Sequence, residues 1–298
     1  MVYHIPALLD ESIKGLNIRP DGIYVDVTFG GGGHSMEILR QLQTGKLIAF
    51  DQDEDAALNV PDDERFIFLN QNFRFLKNNL LYNGVDSADG IIADLGVSFH
   101  QFDLPDRGFT FRSDAPLDMR MSKKNPVTAA DLVNELGEDA LADIFFRYGE
   151  LSNAGKIAGA IVSARITAPV LSAGDLLSAT RHLAPYRHEH KFYARLFQSL
   201  RIAVNHEPEY LKEMLLQALE MLNSGGRLVV ISYHSLEDRI IKNFMRTGNF
   251  EGIEEKDFFG NTLSPFQVLT KKGITPCPEE IAANNRARSA RLRIAQKK

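Results

Sequence analysis

Residues 23–35, IYVDVTFGGGGHS, constrain the fold of this chain more than any other stretch. The first residues are apolar or β-branched, apart from Asp26, which is the pattern of a buried strand. Four consecutive glycines follow, and apolar residues then recur at helical spacing from Met36 to Leu42. The pattern predicts a strand, a tight glycine turn and a helix. Because glycine has no Cβ, a ligand can approach such a turn closely, and the helix start offers it free N–H groups.

The same alternation of strand and helix continues to residue 98. Stretches typical of strands lie at 46–53, 65–73 and 88–98, with helical segments between them, which predicts a parallel sheet covered on both faces. Ligands of such sheets bind at the carboxyl ends of the strands. The side chains that fall at these ends are Asp26, Asp51, Phe73 and Asp94.

The strand pattern stops between about residues 104 and 190, where successive segments have helical periodicity separated by Ser or Asp caps and glycine stops. The α/β pattern then resumes and includes a strand at 227–235. We therefore predict an α/β, Rossmann-like sheet with an inserted all-helical domain. The sheet domain is discontinuous and comprises residues 1–104 and 191–298. The helical insertion comprises residues 105–190, and we assign substrate recognition to it.

Composition limits the class of protein. The 298 residues are 44% hydrophobic and 24% charged, as in globular proteins, and no apolar run reaches membrane-spanning length. The N-terminal residues do not resemble a secretion signal, and the single Cys277 excludes an intrachain disulfide framework. We expect a cytoplasmic protein. The net charge is −5, yet residues 284–298 carry six basic side chains and no acid. Charge alone fits an anionic partner and a solvated tail equally well.

The acids around the glycine turn favour one ligand over another. Asp26, inside the first strand, would repel a pyrophosphate but suits a cationic centre. Asp51 lies 18 residues after Gly33, where a carboxylate can accept both hydroxyls of a ribose. The alternative is that Asp51 and Asp53 begin the next helix as cap and first-turn acid. Phe73 can cover an adenine face or belong to the core. S-adenosylmethionine fits these features better than NAD.

Asp94, in the segment DLGVS, is the candidate catalytic residue. An exocyclic amine on a base is a weak nucleophile, so it needs an acceptor for its N–H group and alignment with the methyl carbon. An acid at the end of a central strand can supply that acceptor. Capping of the following segment and contact with the amino group of the cofactor remain alternative roles for Asp94.

Longer motifs extend over nearly the whole chain. They include GIYVDVTFGGGGHS (22–35), GIIADLGVS (90–98), RGFTFRSDAPLDMRM (107–121), FQSLRIAVNHE (197–207) and GGRLVVISYHSLEDRIIKNFM (225–245). On these motifs the chain resembles the bacterial ribosomal RNA small subunit methyltransferase H family, whose members methylate N4 of a cytidine in the decoding region. Residues 186–199 depart from the pattern of that family.

The resemblance implies an S-adenosylmethionine-dependent methyltransferase whose substrate is 16S ribosomal RNA, within the small ribosomal subunit, and it allows a homodimer. It implies no membrane partner. The cofactor-binding residues that it implies are Gly32, Gly33, His34, Asp51, Phe73, Asp94 and Gln101. Of these, His34 and Gln101 rest on the resemblance alone.

Basic and aromatic side chains follow the DLGVS segment. They are Arg107, Phe109, Phe111, Arg112 and Arg120. This mixture suits phosphate contact and base stacking, but the arginines can equally pair with Asp114 and Asp118 in an ordered loop. His234 and Glu237 lack a third ligand at helical spacing, so we predict no metal site and assign them to capping or to the cleft.

Two other functions remain open from the sequence. A nicotinamide-dependent oxidoreductase is disfavoured by Asp26 and by the lack of residues that suit hydride transfer. A ribosome-assembly factor without catalytic activity is disfavoured by the intact Asp51 and Asp94.

Overall fold

The computed structural model describes residues 6–98, 101–102, 104–260 and 263–298. The chain divides into two compact units, the first comprising Met1–Gly96 and Pro208–Lys298 and the second Val97–Glu207. The strands are β1 (Ile23–Asp26), β2 (Lys46–Phe50), β3 (Phe66–Leu69), β4 (Ala88–Asp94), β5 (Leu222–Ser232), β6 (Phe266–Val268) and β7 (Arg291–Lys297).

The α-helices lie in both units. They are α1 (Leu9–Leu16), α2 (Gly33–Gln41), α3 (Leu76–Tyr82), α4 (Ala129–Glu135), α5 (Glu138–Arg147), α6 (Ala154–Thr167), α7 (Ala173–Thr180), α8 (Glu189–Asn205), α9 (Glu207–Met221), α10 (Ser235–Thr247) and α11 (Pro278–Ala283). Short 3₁₀ turns occupy Glu54–Asn59, Phe73–Phe75, Pro105–Arg107, Arg181–Leu183 and Asn285–Ser289.

Within the described residues, seven strands form one sheet in the order β3-β2-β1-β4-β5-β7-β6. Strand β1 pairs in parallel with β2 and β4, and β4 pairs in parallel with β5. Strand β7 is antiparallel to both of its neighbours, β5 and β6. The predicted α/β, Rossmann-like sheet is confirmed, but the expectation of a wholly parallel sheet missed β7. Because β2, β1 and β4 are adjacent and parallel, their carboxyl ends meet at one edge.

The sheet of the first unit is covered on both faces because its strand residues alternate between two cores. Val25 belongs to a core cluster that includes Leu215 of α9 and Phe244 of α10. The preceding residue, Tyr24, belongs to another cluster, together with Ile38 of α2. The near-continuous apolar sequence of the central strands reflects this double burial.

The second unit has a helical core of its own. Each of its α-helices contributes buried apolar side chains, among them Val133, Phe145, Ile157, Leu176 and Leu196. None of the helices in the described residues combines the length and apolar character needed to cross a bilayer.

Local capping signals define where two of these helices begin. The Thr128 hydroxyl accepts from the Asp131 N–H, and the Asp131 carboxylate accepts in return from the Thr128 N–H. Ser172 and Asp175 make the same reciprocal pair at the start of α7. The Ser172 pair confirms that a Ser cap separates two helical segments of this region, since each pair satisfies N–H groups that the first helical turn leaves without partners.

The second unit is wider than the predicted insertion of residues 105–190. Helix α8 was expected mainly in the sheet domain, which we began again at residue 191. In the structure, α8 buries Phe192, Leu196 and Leu200 in the helical core. Helical periodicity alone does not show which neighbour a helix packs against. The predicted insertion therefore ends at the start of α8 instead of after it. The role of this unit in substrate recognition stays a prediction.

The basic end of the chain is largely part of the sheet. Arg293 in β7 is only 4% exposed, and its guanidinium donates to both carboxylate oxygens of Asp238 at 2.6 and 3.0 Å. The Lys297 ammonium donates to the carbonyls of Leu219 and Leu222. The solvated-tail interpretation is therefore wrong for β7, and these two cations are not available to an RNA phosphate.

Candidate active site

Three acids lie at the adjacent tips of β2, β1 and β4. Asp26 and Asp94 are the last residues of β1 and β4, and Asp51 directly follows β2. The register places Asp26 beside Ala49 on one side and beside Ile92 on the other. Parallel pairing therefore brings the predicted acids to one edge, above which the glycine turn begins.

The glycine turn is tight on one side and open on the other. Gly32 is in the left-handed region, with φ 79°, and begins α2 without a capping side chain. A Cβ added at Gly33 would lie 2.2 Å from Cγ of Pro6, whereas one added at Gly31 would meet nothing within 4 Å. Glycine is therefore required at Gly33, where Pro6 fills the place of a Cβ, whereas the turn is open at Gly31.

Asp51 holds the glycine turn in place. Its Oδ2 accepts from the Gly30 N–H at 2.7 Å, and its Oδ1 accepts from the Asp53 N–H at 2.8 Å. Burial raises the pKa of Asp51 to about 6. The helix-cap alternative applies to Asp53, whose side chain accepts from the Asp55 N–H at the start of a 3₁₀ turn. A carboxylate has about four acceptor sites, so Asp51 retains capacity for a ribose hydroxyl.

Asp26 lies beneath the turn and is 2% exposed. The Ser35 hydroxyl donates to its Oδ2 at 2.7 Å, and the Thr28 N–H donates to its Oδ1 at 3.0 Å. Burial raises the pKa of Asp26 to about 6. The acid therefore contributes negative potential close to the turn, which favours a ligand with a cationic centre.

Asp94 is fixed by contacts on both its backbone and its side chain. Its N–H donates to the Thr28 hydroxyl at 2.6 Å, and its Oδ1 accepts from the Tyr233 hydroxyl at 2.8 Å. Burial raises the pKa of Asp94 to about 7, and the nearby charges of Asp26 and Glu237 act in the same direction. The side chain keeps 22% of its surface exposed. It is thus a reachable carboxylate that exchanges protons near neutral pH.

His34 is a buried side chain beside Asp94, and one of its ring nitrogens lacks a hydrogen bond within the described residues. The side chain is 6% exposed, and its Nδ1 lies 3.8 Å from Oδ2 of Asp94. Burial lowers the pKa of His34 to about 4, so the ring is neutral at neutral pH. Its Nε2 has no hydrogen-bond partner among the described residues. The atom is enclosed by protein, and the backbone of Ala7 also interacts with the ring, so contact between His34 and a cofactor stays a prediction.

The two remaining predicted cofactor residues lie in different units. Phe73 begins a 3₁₀ turn after β3 and packs, half-buried, against the core of the first unit. The core alternative therefore holds for part of its ring. Gln101 belongs to the second unit, where it is 4% exposed and its Oε1 accepts from the Ser98 N–H at 3.1 Å. Its contact with a cofactor stays a prediction.

The arginines proposed for RNA contact divide into two groups. Arg107 is buried and donates to the carbonyls of Arg120 and Met121. Arg120 forms a bidentate pair with Asp118 at 2.8 Å, as the ordered-loop alternative predicted. Both are therefore used within the second unit. Arg112, in contrast, is exposed, and no side-chain contact of its guanidinium is found among the described residues.

The aromatic side chains of the same segment line a small cavity in the second unit. Phe109 is buried, whereas Phe111 is half-buried, with its ring centroid 5.0 Å from that of His190 and 5.4 Å from that of Phe197. These side chains and Arg112 line a cavity of about 200 Å³. Of the predicted set, Phe111 and Arg112 remain accessible to a partner.

Two residues of the site were not assigned from the sequence. Ser35 was placed at the helix start, but its hydrogen bond to Asp26 was not foreseen. Tyr233, within the ISYHSLEDR motif, lies inside the strand predicted at 227–235, whereas β5 ends at Ser232 and leaves Tyr233 at the strand tip. His234, in the same motif, accepts from the Glu237 N–H and caps α10, which confirms the capping role for this residue.

Comparison with known proteins places the chain among methylases. The model of the MraW methylase family matches residues 1–298. Three relatives carry the name ribosomal RNA small subunit methyltransferase H. The protein from Phocaeicola vulgatus is 55% identical over 298 residues, covering 100% of this chain and 98% of the relative. The protein from Parabacteroides distasonis is 56% identical, covering 99% of this chain and 97% of the relative. The protein from Flavobacterium johnsoniae is 55% identical, covering 100% of this chain and 98% of the relative.

Proposed function

Because the chain belongs to the MraW methylase family, we propose that it methylates the exocyclic N4 amine of a cytidine in small-subunit (16S) ribosomal RNA, using S-adenosylmethionine. The observation that carries the proposal is the cluster of Asp26, Asp51 and Asp94 at adjacent strand tips around an open glycine turn. Action on an assembled small subunit, a homodimeric state and a cytoplasmic location extend the proposal and rest on sequence reasoning.

The site residues of the first unit have distinct tasks in binding the cofactor. The glycine turn and the first N–H groups of α2 receive the part of the cofactor that approaches closest. His34, directly after the glycines, borders the cofactor in this proposal, and Asp51 accepts from the ribose hydroxyls. When bound, S-adenosylmethionine supplies a methyl group activated by a sulfonium. Asp26 stabilises positive charge near the turn because it lies directly beneath it.

Asp94 acts on the nucleophile. In its ionised form it accepts the proton of the cytidine amine, which increases the electron density on nitrogen as the new bond forms. A pKa near 7 suits this role because the carboxylate is basic enough to accept a proton and is still largely ionised at slightly alkaline pH. The strand tip also fixes the direction from which the amine approaches.

The second unit supplies the recognition of RNA in this proposal. An unstacked base can enter the cavity beside Phe111, where aromatic stacking is favourable, while Arg112 meets the phosphate backbone. Residues just before α8 and in its first turn add exposed Tyr186, Arg187 and Lys191 to the same unit. Such a mixture of exposed cations and accessible rings suits single-stranded RNA.

The proposal is tested with small ribosomal subunits from cells that lack this methyltransferase. The chain is incubated with labelled S-adenosylmethionine, and the modified nucleoside is identified by mass spectrometry. We expect N4-methylcytidine at one position, and a loss of about 10²-fold or more in rate for Asp94→Asn. Asp89→Asn, in β4 but at the opposite end from the site, is the matched control. Methylation at a carbon atom, or an unchanged rate for Asp94→Asn, would contradict the proposal.

The RNA surface is tested separately. Arg112→Gln should weaken RNA binding and reduce its salt dependence, with little change in cofactor affinity, because one fewer phosphate is neutralised. Arg120→Gln serves as the comparison, since its guanidinium is already paired with Asp118. Equal effects of the two substitutions on the salt dependence would remove Arg112 from the proposed surface.

A further inference from the structure

The hydroxyl of Tyr233 meets the candidate acceptor carboxylate directly. We propose that Tyr233 is a positioning residue for methyl transfer, which holds Oδ1 of Asp94 by a hydrogen bond and leaves Oδ2 to accept the proton of the substrate amine. This inference rests on the proposed function and adds a residue to it. The Tyr233 hydroxyl donates to Oδ1 at 2.8 Å, whereas Oδ2 lies 3.8 Å from Nδ1 of His34, too far for a hydrogen bond.

The position of Tyr233 follows from the pairing of β4 with β5. Asp94 lies opposite Ile231 in this parallel pair, and Tyr233 follows the last residue of β5. The Tyr233 N–H donates to Oε2 of Glu237 at 3.1 Å, which ties the residue to the first turn of α10. The ring is half-buried against the α1–α2 side of the sheet. Backbone and ring are therefore both held, so the hydroxyl has a fixed direction.

The surroundings of Asp94 explain why such a donor is needed. Asp26 faces it from β1 and Glu237 from α10, and both are acids that oppose its ionisation. His34 faces it from α2 and is neutral at neutral pH. Among the described residues, the hydrogen bond from the Tyr233 hydroxyl to the Asp94 side chain is the interaction that favours the charged form of Asp94. The pKa of Tyr233 is itself raised, by burial first and by the Asp94 charge next, so it stays protonated.

The proposed step balances as follows. The amine nitrogen forms a bond to the methyl carbon while the carbon–sulfur bond breaks and its electron pair stays on sulfur. The proton leaves nitrogen for Oδ2 of Asp94. A protonated Asp94 cannot accept it, so the rate depends on the ionised fraction, and Tyr233 increases that fraction by stabilising the carboxylate.

The test is Tyr233→Phe, which keeps the ring and removes the donor. We expect the rising limb of kcat against pH to move up by about one pH unit, so that kcat at pH 6 falls about tenfold and recovers at pH 9. KM for S-adenosylmethionine and for RNA should stay within about twofold, since the hydroxyl is engaged by Asp94. Tyr24→Phe, which removes another hydroxyl from the same sheet, should not move the limb.

A second variant reverses the sign of the perturbation. Replacing Tyr233 by 3-fluorotyrosine makes the phenol a stronger donor in an otherwise intact site, and the limb should move to lower pH. An equal loss of kcat at every pH, or no shift in either variant, would overturn the role of Tyr233. If Asp94→Asn is inactive while both Tyr233 variants keep the wild-type limb, the inference fails and the proposed function stands.

Discussion

Replacing Asp94 with asparagine should stabilise the protein at alkaline pH while it abolishes methylation. The reason is that the fold keeps this acid among other acids at the strand tips, where burial raises its pKa from 3.8 to about 7. Between these two values the folded chain holds a proton that the unfolded chain releases. Stability is therefore lost as pH rises through this window, and the asparagine variant does not lose it.

The magnitude follows from the width of the window. Between pH 5 and pH 8, a shift to about 7 corresponds to a change of about 3 kcal/mol in the free energy of unfolding. Because 22% of the Asp94 side chain is exposed, solvent screening reduces this expectation to about 1–2 kcal/mol. From pH 5 to pH 8, the free energy of unfolding of Asp94→Asn should thus rise by about 1–2 kcal/mol relative to that of the wild type.

The assay is urea unfolding without cofactor at pH 5 and pH 8, followed by circular dichroism because the chain has no tryptophan. Asp89→Asn is the matched control. Burial alone would raise the pKa of Asp89, but donors from Ile23, Asn223 and Arg19 outweigh it and the pKa is lowered. Its titration lies below pH 5, so its variant should differ from the wild type by the same amount at both pH values. A constant difference for Asp94→Asn as well would refute the reasoning.

Two further predictions concern packing around the site and the sheet. Gly33→Ala places a Cβ 2.2 Å from Cγ of Pro6 and should weaken cofactor binding at least tenfold by calorimetry. Gly155→Ala in α6, where a Cβ meets nothing within 4 Å, should bind as the wild type does, and equal affinities of the two variants would contradict this. Arg293→Met removes one partner of the pair with Asp238 and should lower the free energy of unfolding by about 2–4 kcal/mol. A change below about 0.5 kcal/mol would show that this pair does not stabilise the fold.

The glycine turn and the acids at the strand tips were predictable because their signals are local. A strand that ends in an acid, followed by glycines and a helix, specifies its own geometry over a few residues. The positions of Asp51 and Asp94 after their strands follow in the same way. Parallel pairing then brings them together without further information from the sequence.

Other parts of the site depend on contacts between distant segments. The bond between Tyr233 and Asp94 requires the register of β4 with β5, two strands that the whole second unit separates in the chain. Likewise, Arg107 donates to carbonyls because of how its loop closes, which no spacing rule specifies. Such pairings are set by tertiary structure, so the sequence left RNA contact and internal contact equally open.

Strand β7 was missed although a signal was present. Leu292 and Ile294 alternate with arginines, the pattern of a half-buried strand, but the high charge pointed only to an anionic partner or a solvated tail. Arg293, the third residue of β7, is buried although it is charged, because Asp238 neutralises it. A charged residue can therefore occupy a central strand when its partner lies on the adjacent helix, and single-residue hydropathy does not reveal this.

The place of β7 in the sheet has a consequence for biosynthesis. This strand is made after β6, yet it lies between β5 and β6. During translation β5 therefore has one unpaired edge, and β6 has no neighbour in the sheet, until the ribosome releases residues 291–297. A nascent chain stalled before that point would carry an open edge suited to pairing with another chain. Chaperone dependence should then be concentrated in the interval between the emergence of β6 and that of β7, when the later strand closes the sheet.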